Sequence, residues 1–243
     1  MMSAKDEQGE VSAVLETQDV YKEYDTSAGV VAAVRGVDLI IAEGEFVAIM
    51  GPSGSGKTTL LSMMGALEPP TRGRVLLRGR DIGLMRSGEL AELRRFDVGF
   101  VFQRFYLVDH LTARENIGFP LGFDHRLGRS ERDERAEQLL EMVGLSHRAD
   151  HFPRQLSGGE QQRVAIARAM ANEPAVILAD EPTGNLDQKT SDGILNALED
   201  LNDRLGQALV LVTHDPRVAE RAARVVELED GVVVRQYGRD DLL

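Results

Sequence analysis

The stretch that most constrains this chain is Gly51-Pro52-Ser53-Gly54-Ser55-Gly56-Lys57-Thr58, which fits the spacing G-x-x-x-x-G-K-[ST]. The apolar run Glu45-Phe46-Val47-Ala48-Ile49-Met50 before it reads as a buried strand, and Lys57 to about Leu67 after it reads as a helix. In that order the glycines let the backbone curl so that several N–H groups face one point, and the positive end of the helix adds to them. The arrangement suits a phosphate chain. Lys57 brings a point charge for the outer phosphates and Thr58 a hydroxyl for Mg²⁺. A glycine turn arising by chance would not come with both flanking elements.

Composition narrows the classes. The chain has 243 residues, 42% of them apolar, enough for one core with an inserted subdomain. Lys and Arg total 28 against 40 for Asp and Glu, a net charge of 28 − 40 = −12. An acidic chain is a poor general binder of DNA or RNA, so no nucleic-acid partner is expected, and the plain consequence of the charge is solubility. No apolar run approaches the roughly 18 residues of a membrane span, and the N-terminus carries no apolar signal core. Cysteine is absent, which excludes disulfides and thiolate metal sites. A cytosolic location is the default.

Along the chain, residues 1–14 read as a flexible tail, residues 15–235 as one nucleotide-binding domain and 236–243 as a C-terminal tail. Leu15–Tyr24 and Val30–Ile41 suggest two strands around an Asp25–Gly29 turn. In the helix after the glycine loop, Leu60, Leu61, Met64 and Leu67 share a face. Arg74–Arg78 reads as a strand, Ser87–Arg95 as a helix packing through Leu90 and Leu93, and Val98–Phe102 as a strand followed by Gln103. From about 104 to 172 the pattern is that of a mostly helical insert, including Ser130–Val143 with Ser130 as its cap and Asp133 three residues on. Alternation then resumes: strand Val176–Asp180, helix Ser191–Leu205 with Ile194, Leu195, Leu198, Leu201 and Leu205 in a stripe, and strand Ala208–Thr213. A helix over Pro216–Arg224 and a hairpin of Val225–Leu228 with Val232–Arg235 complete it. Continuous apolar strands alternating with helices predict an α/β fold with a mainly parallel sheet covered on both faces.

Two further constellations carry chemistry. Asp180 ends an apolar strand and can hold Mg²⁺ beside the phosphate loop, leaving Glu181 to face an attacking water. Two adjacent carboxylates near a triphosphate are tolerable only with a metal ion between them; the alternative is an ordinary strand-end turn. The stretch Leu156-Ser157-Gly158-Gly159-Glu160-Gln161-Gln162-Arg163 opens a helix, and its hydroxyl, glycines and helix N-terminus make a second anion site whose phosphate the residues do not identify.

That last stretch resembles, letter for letter, the signature sequence of ATP-binding cassette (ABC) ATPases, and the family's remaining motifs follow in order from about Leu15 to Leu228. The resemblance implies a P-loop NTPase fold with an antiparallel β subdomain and a helical insert, and it implies roles for single residues. Tyr24 matches the aromatic that stacks on adenine, with Tyr21 nearby and strand packing as the alternative for either. Gly51, Pro52, Ser53, Gly54, Ser55, Gly56, Lys57, Thr58 and Thr59 match the Walker A loop. Gln103 matches the Q-loop residue that touches Mg²⁺ and the water. Asp180 and Glu181 match the Walker B acid and the catalytic base, and His214 matches the switch histidine on the γ-phosphate. Gly184-Asn185-Leu186-Asp187 matches the D-loop, which crosses between subunits; many members have Ser-Ala-Leu-Asp there, and the Asn185 form resembles the lipoprotein-releasing, macrolide-exporting and cell-division branch.

The resemblance further implies two copies of the chain facing head to tail, with Ser157, Gly158, Gly159 and Glu160 of one copy closing over ATP and Mg²⁺ held by the other. It implies a separate membrane permease at the cytoplasmic face of the cell membrane, contacted near Gln103–Leu111, where the alternative is packing of the insert on the core. Export of lipoprotein, drug or peptide is the expected task. The rival reading is a regulatory ATPase that drives cell-wall hydrolases without transport. ABC ATPases of DNA repair or translation usually carry coiled coils, zinc modules or paired cassettes, which are missing here, and the intact signature argues against a small-molecule kinase.

Overall fold

The computed structural model describes residues 12–27 and 29–238. Most of the expected N-terminal tail, residues 1–11, and residues 239–243 of the expected C-terminal one lie outside them. The chain opens with an antiparallel pair, β1 (Ala13–Thr26) and β2 (Gly29–Ala42). Both strands exceed the sequence expectation. β1 begins inside the expected tail, and pairing continues through Asp25↔Val30 and Thr26↔Gly29, so the expected turn is largely strand. The Thr26 hydroxyl donates to Gly29 O at 2.6 Å across the reversal.

β3 (Phe46–Met50) leads through the glycine loop into α1 (Lys57–Met64). The helix stops before Leu67, which is 49% exposed and off the buried face. Its end is a Schellman-type closure: Leu67 N donates to Ser62 O, Ala66 N donates to Met63 O, and Ala66 takes the left-handed conformation. β4 (Arg72–Leu77) and β5 (Arg80–Asp81) complete a four-stranded antiparallel sheet in the order β2-β1-β4-β5. α2 (Ser87–Phe96) buries Leu93 and only part of Leu90, and β6 (Val98–Phe102) follows.

The insert contains α3 (Ala113–Gly118), α4 (Arg129–Met142) and α5 (Gly158–Ala169) with short 3-10 turns between them. The cap of α4 is Gly128, not Ser130. Glu131 reaches back to accept from Gly128 N at 2.6 Å, a span the shorter Asp133 does not make, and Asp133 faces Arg129 instead. β7 (Val176–Asp180), α6 (Gln188–Leu205), β8 (Ala208–Thr213), α7 (Pro216–Ala219), β9 (Arg224–Glu229) and β10 (Val232–Gly238) finish the chain. α6 starts three residues before the expected Ser191 because Asp187 caps it. α7 is one turn, not a helix to Arg224: Ala223 N already bonds Phe46 O, and the ladder of β9 against β3 begins at Arg224. β10 runs on to Gly238, into the stretch expected as tail.

The central sheet has the order β10-β9-β3-β8-β7-β6 and is parallel throughout except for β10. Its strands bury both faces. Val47 and Ile49 point to a core shared with α1, α2 and the antiparallel sheet, while Phe46 and Ala48 point to one shared with the insert, α6 and α7. Ile177 and Ala179 alternate with Val176 and Leu178 in the same way.

Position along α6 should set the effect of truncation. Leu198, 1% exposed, should lose about 2–5 kcal/mol on substitution by Ala, whereas Leu205, 41% exposed in the last turn, should lose less than about 1 kcal/mol. Urea midpoints measure the difference, and equal losses would contradict this placement of the helix.

Candidate active site

The phosphate loop is held by two backbone approaches that only glycine permits. A Cβ on Gly51 would lie 2.1 Å from Leu228 O, and one on Gly56, whose φ is +99°, would lie 2.1 Å from Ala33 O. Gly54, also left-handed, faces open space. α1 begins at Gly56 with no side-chain cap, so its first-turn N–H groups look into the loop. Lys57 follows them there. It is 6% exposed, and its Nζ donates to Gly51 O at 2.8 Å and to Pro52 O at 2.7 Å. Among the described residues it makes no ion pair. Burial lowers its pKa, against the carboxylates of Glu181 and Asp180, which raise it. A buried ammonium bonded to backbone carbonyls, with these carboxylates near but none in an ion pair, has room for a directly bound anion, and a phosphate chain is the group that would supply it.

The carboxylates come from the end of β7, which β8 separates from β3. β7 ends at Asp180, whose Oδ1 accepts from the Thr58 hydroxyl at 3.1 Å. Burial holds Asp180 above the usual carboxyl range, the Thr58 bond opposes that, and Glu181 adds to it. A hydroxyl beside a carboxylate is a hard-oxygen pair that fits Mg²⁺. Among the described residues no three His, Asp or Glu side chains gather as metal ligands, so the protein offers only part of a shell. Mg²⁺ ordinarily completes its shell with water and phosphate oxygens.

Glu181 has a left-handed backbone, with φ +44°, which turns the chain off β7. Its Oε1 meets His214 Nδ1 at 2.8 Å, because β7 and β8 run parallel in adjacent register and end together. Both residues line a cavity of about 250 Å³ with Thr183, Gly184 and Thr213. Gln103 enters from the end of β6, beside β7. Its Nε2 donates to Asn185 Oδ1 at 3.2 Å, and Asn185 Nδ2 donates to Gln103 O at 3.1 Å. Gly184 leaves room for it: a Cβ there would be 2.7 Å from Gln103 Nε2 and 3.2 Å from Glu181 Oε2.

Tyr24 is the tyrosine next to α1. Its hydroxyl donates to Glu68 at 2.8 Å, and burial followed by Glu68 raises its pKa while a Thr59 bond lowers it. Lys22 lies 5.2 Å from its ring centroid. Tyr21 is otherwise engaged, under the Arg72 guanidinium at 4.0 Å.

Ser157, Gly158, Gly159 and Glu160 form a separate group. The Ser157 hydroxyl accepts from Glu160 N at 3.3 Å, the Glu160 carboxylate accepts from Ser157 N at 2.8 Å, and Arg148 holds that carboxylate at 3.0 Å. The Ser157 backbone bond lowers the pKa of Glu160. A Cβ on Gly159 would be 2.4 Å from Thr190 Cγ2, so this end of α5 sits on the start of α6, which Asp187 caps. Hydrogen bonds from Thr190 hold Asp187 below the usual carboxyl range. Among the described residues, no side-chain hydrogen bond or ion pair joins Ser157–Glu160 to Gly51–Thr59. The structure therefore gathers Lys57, Thr58, Asp180, Glu181, His214 and Gln103, with Tyr24 beside α1, and among the described residues joins the signature residues and Asp187 to none of these side chains by a side-chain hydrogen bond or ion pair.

Sequence reasoning passed over two side chains on α5. Gln162, fully buried, donates from Nε2 to Pro182 O at 2.7 Å and to Phe102 O at 3.3 Å. Arg168 donates to the carbonyls of Phe105 and Tyr106, and burial lowers its pKa. Their signal was a polar residue at each end of the buried run Val164–Ala167. The segment after Gln103 divides: Tyr106 is 64% exposed, edge-on to Phe102, while Leu107 packs against the core.

Comparison with known proteins bears on this geometry. The model of the ABC transporter family matches residues 34–184. An uncharacterized ABC transporter ATP-binding protein of Methanocaldococcus jannaschii is 47% identical over 221 residues, 91% of this chain and 98% of that protein. The macrolide export ATP-binding/permease protein MacB 1/2 of Paracoccus denitrificans is 48% identical over 91% of this chain, which spans only 33% of that longer protein. A dimeric post-hydrolysis structure of the ATP-binding cassette MJ0796, bound to ADP and Pi, superposes with a TM-score of 0.85 at 46% identity and covers 93% of this chain and 98% of that one. The fold and site define a P-loop ATPase. The chain belongs to the ABC transporter family, as an ATP-binding cassette of ABC ATPase type.

The raised pKa of Asp180 carries a sign. The folded chain keeps the Asp180 proton to higher pH than the unfolded chain does. Asp180 is therefore neutral at low pH and becomes a cost to folding as pH rises from the ordinary carboxyl range through its folded value. Asp180→Asn should raise the Tm of the nucleotide-free protein at neutral pH, and the gain should shrink on acidification. Thermal melts across pH check this; a Tm lowered at neutral pH would contradict it.

Proposed function

We propose that this cassette binds ATP through Tyr24, the Gly51–Thr59 loop and Asp180, and hydrolyses it only when a second copy closes the site with Ser157–Glu160. The observation that carries this reading is the buried Lys57 ammonium with no carboxylate in an ion pair, together with a signature group that, among the described residues, shares no side-chain hydrogen bond or ion pair with it. Each half presents helix N-terminal donors, and a triphosphate between two copies would satisfy both. The dimeric state of the MJ0796 cassette with ADP and Pi supports the same arrangement.

In the closed site Glu181 takes the proton of the attacking water, and Gly184 leaves that carboxylate uncovered. His214, held through Nδ1 by Glu181, keeps its other ring nitrogen free for the γ-phosphate. Lys57 and the loop N–H groups stabilise the charge that builds on the phosphoryl oxygens. Mg²⁺ held by Thr58 and Asp180 would neutralise phosphate charge. In this reading Gln103 senses that metal and the water once the site is closed. Asp187, at the start of α6, sits where the signature of α5 packs and belongs to the contact between copies.

The cycle of closing and opening is coupled to a separate membrane permease. Among the described residues no helix is long and apolar enough to cross a membrane. Relatives of cassette length cover this chain almost completely, whereas the macrolide export relative is about three times as long. The exposed Tyr106 and the Gln103–Leu111 segment are the proposed contact. That places the protein at the cytoplasmic face of the cell membrane, peripheral through its partner. The likeness to macrolide export proteins supports extrusion of a drug, lipoprotein or peptide.

Glu181→Gln should retain ATP binding, lower turnover by about 10²–10⁴-fold and leave an ATP-bound dimer on a sizing column. A monomer with normal turnover would remove Glu181 from this role.

A further inference from the structure

Gln103 is not free in the resting chain. Its amide donates to Asn185 Oδ1, and the Asn185 amide donates back to Gln103 O, so one side chain holds both the head and the backbone of the Q-loop residue. The surroundings do not move with it easily. Gln162, fully buried, fixes Phe102 O just before Gln103 and Pro182 O just after Glu181, and Arg168 fixes Phe105 O and Tyr106 O. Gln103 thus lies between two anchored carbonyl groups, and its side chain and Asn185 are the parts left to rearrange. Gly184, next to Asn185, is where the Gln103 amide and the Glu181 carboxylate both come close.

From this we infer that Asn185 is a latch for Gln103: a positioning residue that keeps the Gln103 amide off the metal and water until the Gly184–Asp187 loop is displaced. The loop is suited to displacement by a second copy. Its residues precede α6, whose start carries the packing site of the signature glycines, and Asn185 itself is exposed. An alanine at 185, the residue many family members carry, can make neither bond. The latch makes the competent Gln103 a minor state, and a minor competent state weakens apparent affinity by its population. The inference rests on the proposed role of Gln103 toward the metal and water.

The test uses the full chain with Asn185→Ala, Asn185→Asp, Gln103→Ala and the double variant. Hydrogen exchange of the nucleotide-free protein over residues 103–106 should quicken in Asn185→Ala and change less in Asn185→Asp, which keeps the acceptor for Gln103 Nε2 but loses the donor to Gln103 O. The Mg²⁺ concentration for half-maximal ATP turnover should fall by about fivefold in Asn185→Ala, the scale of one net hydrogen bond, and should not fall when Gln103 is already alanine. Unchanged exchange, or the same Mg²⁺ shift in both backgrounds, would overturn the latch. If Gln103→Ala alone left turnover and its Mg²⁺ dependence untouched, the role of Gln103 would fail first, and the latch with it.

Discussion

A buried ammonium bonded to two carbonyl oxygens and a hydroxyl, with no carboxylate in an ion pair among the described residues, is an unfinished electrostatic site, and the rest of this structure is organised around that fact at Lys57. The charge is kept in place by close approaches of backbone, Gly51 against Leu228 O and Gly56 against Ala33 O. Those carbonyls belong to β9 and β2, so the parallel and antiparallel sheets must both be formed before the loop has its shape. A net hydrogen bond contributes on the order of 1 kcal/mol, whereas an unpaired buried charge costs several times that. The loop is therefore a place where a phosphate anion changes the stability of the whole domain by binding.

The parallel sheet then does the positioning. β3, β8, β7 and β6 are neighbours in that order, and their C-terminal ends deliver the phosphate loop, His214, Asp180 with Glu181, and Gln103 to one edge. The spacing of these side chains is thus inherited from strand spacing. α5 acts differently. Its N-terminus carries Ser157–Glu160, which among the described residues share no side-chain hydrogen bond with the phosphate loop, while Gln162 and Arg168 farther along it hold the segment that carries Gln103 and Tyr106. A displacement of Tyr106 by a docked partner would reach the signature end through one rigid helix, and a displacement at the Gly184–Asp187 loop would reach Gln103 through Asn185.

What the sequence made legible follows from how local each signal was. Val98–Phe102, Val176–Asp180 and Ala208–Thr213 were read with the bounds they have, because continuous apolar runs bounded by polar turns have one solution in a two-sided sheet. Helix ends were read less well. α1 stops at a backbone closure in which Gly65 is the cap and Ala66, not the glycine, takes the left-handed turn, and α4 is capped by Glu131 reaching Gly128 where Ser130 looked the better cap. α7 loses its second half to a ladder with β3, a contact distant in sequence. At the site, the phosphate loop and strand-end acids were visible as spacing. The reciprocal bonds of Gln103 with Asn185 and the anchoring by Gln162 were not, since each joins residues 20 or more positions apart.

The central claim is that one site is built from two copies, the loop of one and the signature of the other. The most direct measurement mixes two inactive chains, Lys57→Ala and Ser157→Arg, in equal amounts and follows ATP turnover. In a mixed pair, the intact loop of the Ser157→Arg chain faces the intact signature of the Lys57→Ala chain, so turnover should return to a substantial fraction of the native rate. If the mixture stays as inactive as its components while the chains still pair, the two halves work within one chain and the account is wrong.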